Sequence, residues 1–299
     1  CMLDWNTPKL SDKEWIEKCV KESQYIGSDA AFANIYLLRS KYNIKVTYYK
    51  DLLIRYYEGL GNRKGYTFPL GRKDVLSALY AIEQDAKEMN RPLEFCFVTE
   101  EQKEILENTF AGRTESSSDA GDYDYIYGQP ELSLLSGRTY HKKKNHVSKF
   151  KRTYEDYMFC EIGNGNLDDV MLIEDEWYYD RLQQDDTSAM KEYEAIREAV
   201  DNFEELSLSG GIIYANNVPV AMTIASYIND AAVDIHFEKA VGEYAVNGGF
   251  AAINQMYAST LKDVKFINRE EDINIPGLRK AKESYHPKFM LKKYGMRVK

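Results

Sequence analysis

Long apolar runs are missing from this chain. No window approaches the ~18 uninterrupted apolar residues of a membrane helix, and residues 1–30 lack the basic-then-apolar pattern of a secretory signal, so a cytoplasmic protein without a membrane-spanning segment is expected. Glycine and proline are sparse, 18 and 7 among 299 residues, which excludes collagen-like and low-complexity chains. Cysteine is sparser still. Cys1, Cys19, Cys96 and Cys160 stand far apart, with no Cys-x-x-Cys pair and no histidine at ligand spacing, so neither a disulfide framework nor a metal site is expected. What remains is globular in composition, 44% hydrophobic and 29% charged, and long enough for two domains at ~150 residues each.

The net charge of −9 would disfavour an anionic partner if it were evenly spread. It is not. Residues 138–152 carry Arg138, Lys142, Lys143, Lys144, Lys149, Lys151 and Arg152 with no acid, and residues 279–299 carry eight Lys/Arg against Glu283 alone. Those 36 residues hold +14, leaving −23 on the other 263. Such segregation fits either a local anion-binding surface or a solvated basic helix and tail.

Apolar spacing predicts helices at 11–25, 30–40, 72–89 and 100–110, strands at 44–49, 52–58, 65–70, Leu93–Val98 and Tyr123–Tyr127, and a polar connection over Thr114–Gly121. After a basic helix at 139–152 the order recurs. A strand at 156–162 and helices at 167–183 and 188–205 precede a hairpin whose arms, Gly211–Tyr214 and Pro219–Ser226, flank Ala215-Asn216-Asn217. A strand Ala232–Glu238, the turn Asn247-Gly248-Gly249, a helix 250–261, a strand Val264–Arg269, a short helix after Pro276 and a strand at 288–296 complete the chain. Two mixed sheets, each with one crossover helix, give an α+β fold divided at 1–135 and 136–299.

The block Ile267-Asn268-Arg269-Glu270-Glu271-Asp272, followed by Ile275-Pro276-Gly277-Leu278-Arg279-Lys280-Ala281-Lys282-Glu283-Ser284-Tyr285-His286-Pro287, resembles the phosphatidylglycerol lysyltransferase C-terminal domain family. Tyr140-His141-Lys142-Lys143-Lys144-Asn145-His146 resembles the same family, and also the basic helix that opens the second GNAT unit of Fem-type peptidyltransferases. The resemblance covers nearly the whole chain. It implies two tandem GNAT units, each a mixed sheet flanked by helices, and aminoacyl transfer from aminoacyl-tRNA to a lipid head group, a peptide or a small molecule, with no certain cofactor. Ordinary GNAT enzymes cradle acyl-CoA on a Gly-rich QxxGxG-like loop; here Gly248 and Gly249 stand in its place, leaving phosphate binding or a flexible helix start as alternatives. An acyl-CoA-dependent N-acyltransferase and a non-catalytic anion- or RNA-binding module are the competing classes.

Strict alternation puts Asp234, His236 and Glu238 on one face of a central strand, where polar side chains need a reason. Aminoacyl transfer needs a base, a partner for the developing oxyanion and alignment. The expected roles are Asp234 or Glu238 as base, His236 as relay, Arg269 or Arg279 as oxyanion or phosphate partner, and Glu271 or Asp272 as ligand of the α-ammonium. Arg279 and Lys282 share a helical face that suits a phosphate or carboxylate. Arg138, Lys142, Lys143, Lys144, Lys149 and Arg152 would grip the tRNA backbone. Tyr140, Phe150 and Tyr154 either stack on bases or seat this helix on its own sheet. The first half lacks an obvious acidic or histidine cluster on its own strands, so a structural or acceptor-binding role is expected for it, with the active site in the cleft between halves.

Overall fold

The computed structural model describes residues 3–299, so Cys1 lies outside the described residues. In chain order the elements are α1 (Lys13–Ser23), α2 (Phe32–Leu37), β1 (Lys45–Tyr49), β2 (Leu52–Glu58), β3 (Lys64–Thr67), α3 (Leu76–Glu88), β4 (Leu93–Val98), α4 (Glu100–Thr109), β5 (Thr114–Ser118) and β6 (Asp124–Gly128). Then follow α5 (Gln129–Leu134), α6 (His141–Thr153), β7 (Met158–Glu161), α7 (Leu167–Gln183), α8 (Ala189–Asp201), β8 (Ser209–Ala215), β9 (Val218–Tyr227) and β10 (Ala232–Ala240). The last are α9 (Gly242–Val246), α10 (Gly249–Ala258), β11 (Phe266–Asn268), α11 (Pro276–Glu283), β12 (Phe289–Leu291) and β13 (Tyr294–Val298).

Local chemistry explains many of these boundaries. Thr99 caps α4 reciprocally: its hydroxyl accepts from the Gln102 amide at 3.2 Å while Gln102 Oε1 accepts from the Thr99 amide at 3.0 Å. Asn216 and Asn217 turn the β8–β9 hairpin with φ of 54° and 63°, the left-handed pair that suits strand twist.

Two sheets result, ordered β1-β2-β3-β4-β13-β5 and β12-β6-β11-β10-β9-β8-β7. In each, one parallel pair, β3–β4 or β10–β11, is joined through helix and the pairs flanking it are antiparallel. Two compact units carry them. One comprises the chain up to Tyr125 with Glu271–Arg279 and Met290–Lys299; the other comprises Ile126–Glu270 and Lys280–Phe289. The division therefore differs from that expected at 135/136. The reason is pairing that no local pattern encodes: β13 inserts between β4 and β5, while β6 pairs with β11. The same insertion turns Thr114–Ser118, expected as a polar connection, into an edge strand, and splits the expected strand at 288–296 into β12 and β13.

The first unit packs Ala78, Leu79, Ile82 and Ala86 of α3 with Leu106 and Phe110 against Ile54, Tyr66, Phe95 and Met296. Four of its buried charges form one cluster. Arg55 Nη2 meets Asp29 at 2.9 Å, and Lys293 Nζ meets Asp29 at 2.8 Å and Asp124 at 3.0 Å. Burial raises the Asp29 carboxyl, but Lys293 and Arg55 overrule it and hold the pKa at about 2. Lys293 is thus a core cation, not part of a solvated basic tail.

In the second unit Phe150 and Tyr154 pack with Ile213, Val220, Ala221, Ala252 and Ile253, so these two aromatics seat the basic helix on its sheet. Another buried group sits on α7. Glu174 is 1% exposed and its Oε2 accepts no hydrogen bond. Burial pushes its carboxyl up to about 7, opposed by Lys239 and reinforced by Glu192 and Asp175. The folded state therefore holds this proton more tightly than the unfolded chain, and stability falls as pH rises from ~4.5 to ~7. Glu174→Gln should remove that fall. Urea unfolding should show little difference from the parent at pH 4 and a gain of about 2 to 3 kcal/mol at pH 8.

Candidate active site

Strand β10 has β9 on one side and β11 on the other, with Asp234 opposite both Ser226 and Asn268. Its pairing with β9 shifts between Ile235 and Phe237, at His236. The expected alternation is interrupted there, and the three polar side chains engage two sets of partners. His236 Nε2 lies 2.6 Å from Ser226 Oγ, and Nδ1 lies 3.0 Å from Asp234 and 3.6 Å from Glu270. Ligand-type atoms of Asp234, His236 and Glu270 fall within 4.8 Å of one another, a spacing that a metal ion could use. Hydrogen bonds to Ser226 and Asp234 already account for both ring nitrogens.

Glu238 belongs to the other set. Its Oε1 pairs with Arg269 Nη2 at 3.0 Å, and its Oε2 accepts from Asn254 Nδ2 at 3.1 Å. Asn254 comes from α10 and Arg269 directly follows β11, so the crossover between parallel strands delivers both partners to one carboxylate. The Glu238 and Arg269 side chains are 11% and 12% exposed. Tyr285 lies beneath two cations, with Arg269 at 4.5 Å and Lys143 at 4.3 Å from its ring centre. Burial lowers the Lys143 pKa, the Arg269 charge lowers it further, and Glu238 opposes both. Lys282 donates from Nζ to the Arg269 carbonyl, and the Tyr127 hydroxyl donates to the Lys282 carbonyl. Lys282 therefore braces the Arg269 main chain.

The remaining expected residues have other occupations. Arg279 grips Asp272 through Nε at 2.9 Å and Nη2 at 3.1 Å, and the Tyr125 hydroxyl adds a bond of 2.6 Å. Burial raises the Asp272 carboxyl, but these donors and the Asn274 amide hold it near a pKa of about 2. Glu271 lies 3.5 Å from Arg63. Both acids proposed for the α-ammonium already face arginine in the first unit, and Asp272 and Arg279 satisfy one another.

Along the basic helix, Arg138, Lys142, Lys144, Lys149 and Arg152 are exposed, whereas Lys143 is half-buried. Tyr140 stands edge-on to His286, with ring centres 5.6 Å apart. Gly248 has φ of 99°, and a Cβ there would lie 2.3 Å from the His146 carbonyl; one on Gly249 would lie 2.6 Å from the Tyr244 carbonyl. Close packing of α10 thus explains both glycines without a phosphate.

A family model for phosphatidylglycerol lysyltransferase, C-terminal, matches residues 21–297. No curated protein matches the chain. Among solved structures it is similar to a conserved protein of unknown function from Bacteroides thetaiotaomicron VPI-5482, with 30% identity over 100% of both chains and a TM-score of 0.93. It is similar to L-PGS from Bacillus licheniformis at 14% identity, over 96% of this chain and 92% of that one, with a TM-score of 0.66. The C-terminal domain (DUF2156) of a putative lysylphosphatidylglycerol synthetase from Agrobacterium fabrum gives 12% identity, the same coverages and a TM-score of 0.65. At such identities the last two likenesses concern fold alone. The expected α+β architecture of two mixed sheets flanked by helices is present.

Ser226, Asn254, Tyr127 and Tyr285 were absent from the sequence-derived candidates. Asn254 alone left a trace, as a polar residue that α10 buries among Ala251, Ala252 and Ile253. The Glu238–Arg269 pair should be strongly coupled. Glu238→Gln and Arg269→Met should each cost about 3 kcal/mol, because each leaves a charge buried without its partner. The double variant should lose less than the sum by over ~1 kcal/mol. Urea unfolding of the four proteins measures this, and losses that simply add would mean that the pair is uncoupled.

Proposed function

Because the chain belongs to the phosphatidylglycerol lysyltransferase C-terminal family, we propose that it is an aminoacyltransferase, taking an aminoacyl group from aminoacyl-tRNA and passing it to an acceptor amine or hydroxyl. The observation that carries this reading is the Glu238 carboxylate held between Arg269 and Asn254 with Lys143 close by. Glu238 receives the acceptor's proton. The Lys143 and Arg269 charges favour the oxyanion that develops as the ester carbonyl is attacked, and burial strengthens that effect. The proton then passes to the departing ribose oxygen, so no covalent enzyme intermediate is needed. His236, hydrogen-bonded to Ser226 and Asp234, is assigned to holding the neighbouring strands rather than to relaying protons.

The basic helix divides its labour. Arg138, Lys142, Lys144, Lys149 and Arg152 face solvent and suit the tRNA backbone; Lys143 turns towards Tyr285. Acyl-CoA is the less favoured donor, since packing already explains Gly248 and Gly249.

Replacing Lys142, Lys144, Lys149 and Arg152 together by alanine should weaken tRNA binding and reduce the salt slope by roughly 3. Lys143→Ala should instead lower kcat, and Glu238→Gln should lower kcat about a hundredfold or more with little change in tRNA affinity. Filter binding at two salt concentrations and turnover of charged tRNA measure these effects. Binding of acetyl-CoA with no binding of tRNA would overturn the proposal.

A further inference from the structure

Two buried atoms beside Glu238 have no hydrogen-bond partner: Arg269 Nη1 and Asn254 Oδ1. Asn254 is 5% exposed. Its amide orientation follows from Nδ2 donating to Glu238, so the oxygen is the end left over. An unmet buried donor or acceptor costs ~1–3 kcal/mol, and more when charged. Such atoms call for a specific explanation, and a bound group is one. Here one carboxylate fixes both side chains, Oε1 holding Arg269 and Oε2 holding Asn254, so a donor and an acceptor are presented together.

Charge narrows the choice of ligand. Arg269 and Lys143 outnumber Glu238 by one, so a ligand bearing only a cation, such as a lysyl side chain, is poorly matched. An anionic end suits Arg269 Nη1 and Lys143. A donor suits Asn254 Oδ1, and an ammonium also offsets the Glu238 carboxylate, which a hydroxyl does not.

We infer that this cluster binds the acceptor and that the acceptor is a free α-amino acid. Its carboxylate meets Arg269 Nη1 and Lys143, and its α-amine meets Asn254 Oδ1 next to Glu238. The inference rests on the transfer reaction proposed above. The bound ammonium gives one proton to Glu238, and its nitrogen lone pair attacks the ester carbonyl of aminoacyl-tRNA. A C–N amide bond forms and the C–O bond to the ribose breaks. Glu238 releases that first proton to solvent, then takes the second amine proton and passes it to the ribose oxygen, yielding a dipeptide and deacylated tRNA with no change of oxidation state. Asn254 is in this scheme the residue that selects an amine over a hydroxyl.

Calorimetric titration of the intact protein tests this with four probes: alanine, N-acetylalanine, alaninamide and glycerol 3-phosphate. Alanine should bind at millimolar concentration, with N-acetylalanine and alaninamide each at least ~10-fold weaker, a difference of ~1.4 kcal/mol. Asn254→Leu, checked for folding by circular dichroism, should lose alanine binding by a similar factor. Thermal-shift measurements on the unsubstituted protein should rank the probes in the same order and do not depend on any variant. Absence of alanine binding, equal binding of alanine and alaninamide, or preference for glycerol 3-phosphate would overturn the inference, the first meaning that a buried water satisfies both atoms. Transfer from charged tRNA to another acceptor without alanine binding would refute this inference alone. Alanine binding without consumption of charged tRNA would refute the transfer reaction and leave the binding site standing.

Discussion

Arg269 and Asn254, from two different elements of the second unit, meet the two side-chain oxygens of Glu238. This one constraint ties the fold to its chemistry. A parallel strand pair requires a crossover, the crossover contains α10, and α10 brings Asn254 to the strand that carries Glu238 while Arg269 directly follows β11. At the start of α10, Gly248 lets the helix approach α6 and Gly249 lets it approach Tyr244 of α9. From α6, in turn, Lys143 leans over Tyr285 beside Arg269. Strand order, helix packing and electrostatics therefore converge on one carboxylate.

Much of the fold was legible because its periodicities are local. Leu93–Val98, Leu167–Gln183 and the hairpin around Asn216 and Asn217 follow apolar spacing and turn chemistry that neighbouring residues encode. Edge strand β5 was not legible, since Thr-Glu-Ser-Ser-Ser has no apolar face and becomes a strand through pairing with β13, far away in sequence. The bounds of the two units depend on the same kind of long-range pairing. At the site, Glu238 and Arg269 could be singled out as charged residues in strand contexts, but their pairing could not be deduced. Asn254 left only the faint trace of a polar residue in an otherwise apolar helix, with no spacing that ties it to Glu238. Strict alternation also misled at His236, where the register shift leaves its neighbours with different partners.

The C-terminal basic segment illustrates how little net charge says about location. Arg279 locks Asp272, Lys282 supports the Arg269 carbonyl, and Lys293 neutralises Asp29 and Asp124. Three cations counted together in the sequence thus perform three separate structural tasks. The helix at 141–153 is different. Its apolar positions Val147 and Phe150 face inward and leave most of its cations exposed.

The two units also differ in how they treat buried charge, and the difference bears on where chemistry resides. In the first, Arg55 and Lys293 face Asp29 and Asp124, so two cations balance two anions in a closed set. Such a set holds strands and loops in place and offers no net field to a ligand. In the second, Arg269 pairs with Glu238 while Lys143 lies over Tyr285, and burial and the Arg269 charge lower the Lys143 pKa against the opposing pull of Glu238 alone. An imbalance of this kind is unfavourable to an empty protein and becomes favourable when an anion arrives, because the same low-polarity surroundings that penalise the free charges strengthen their attraction to a ligand. The cationic excess beside Glu238 is accordingly the physical ground for assigning substrate binding to the second unit and a supporting role to the ionic core of the first.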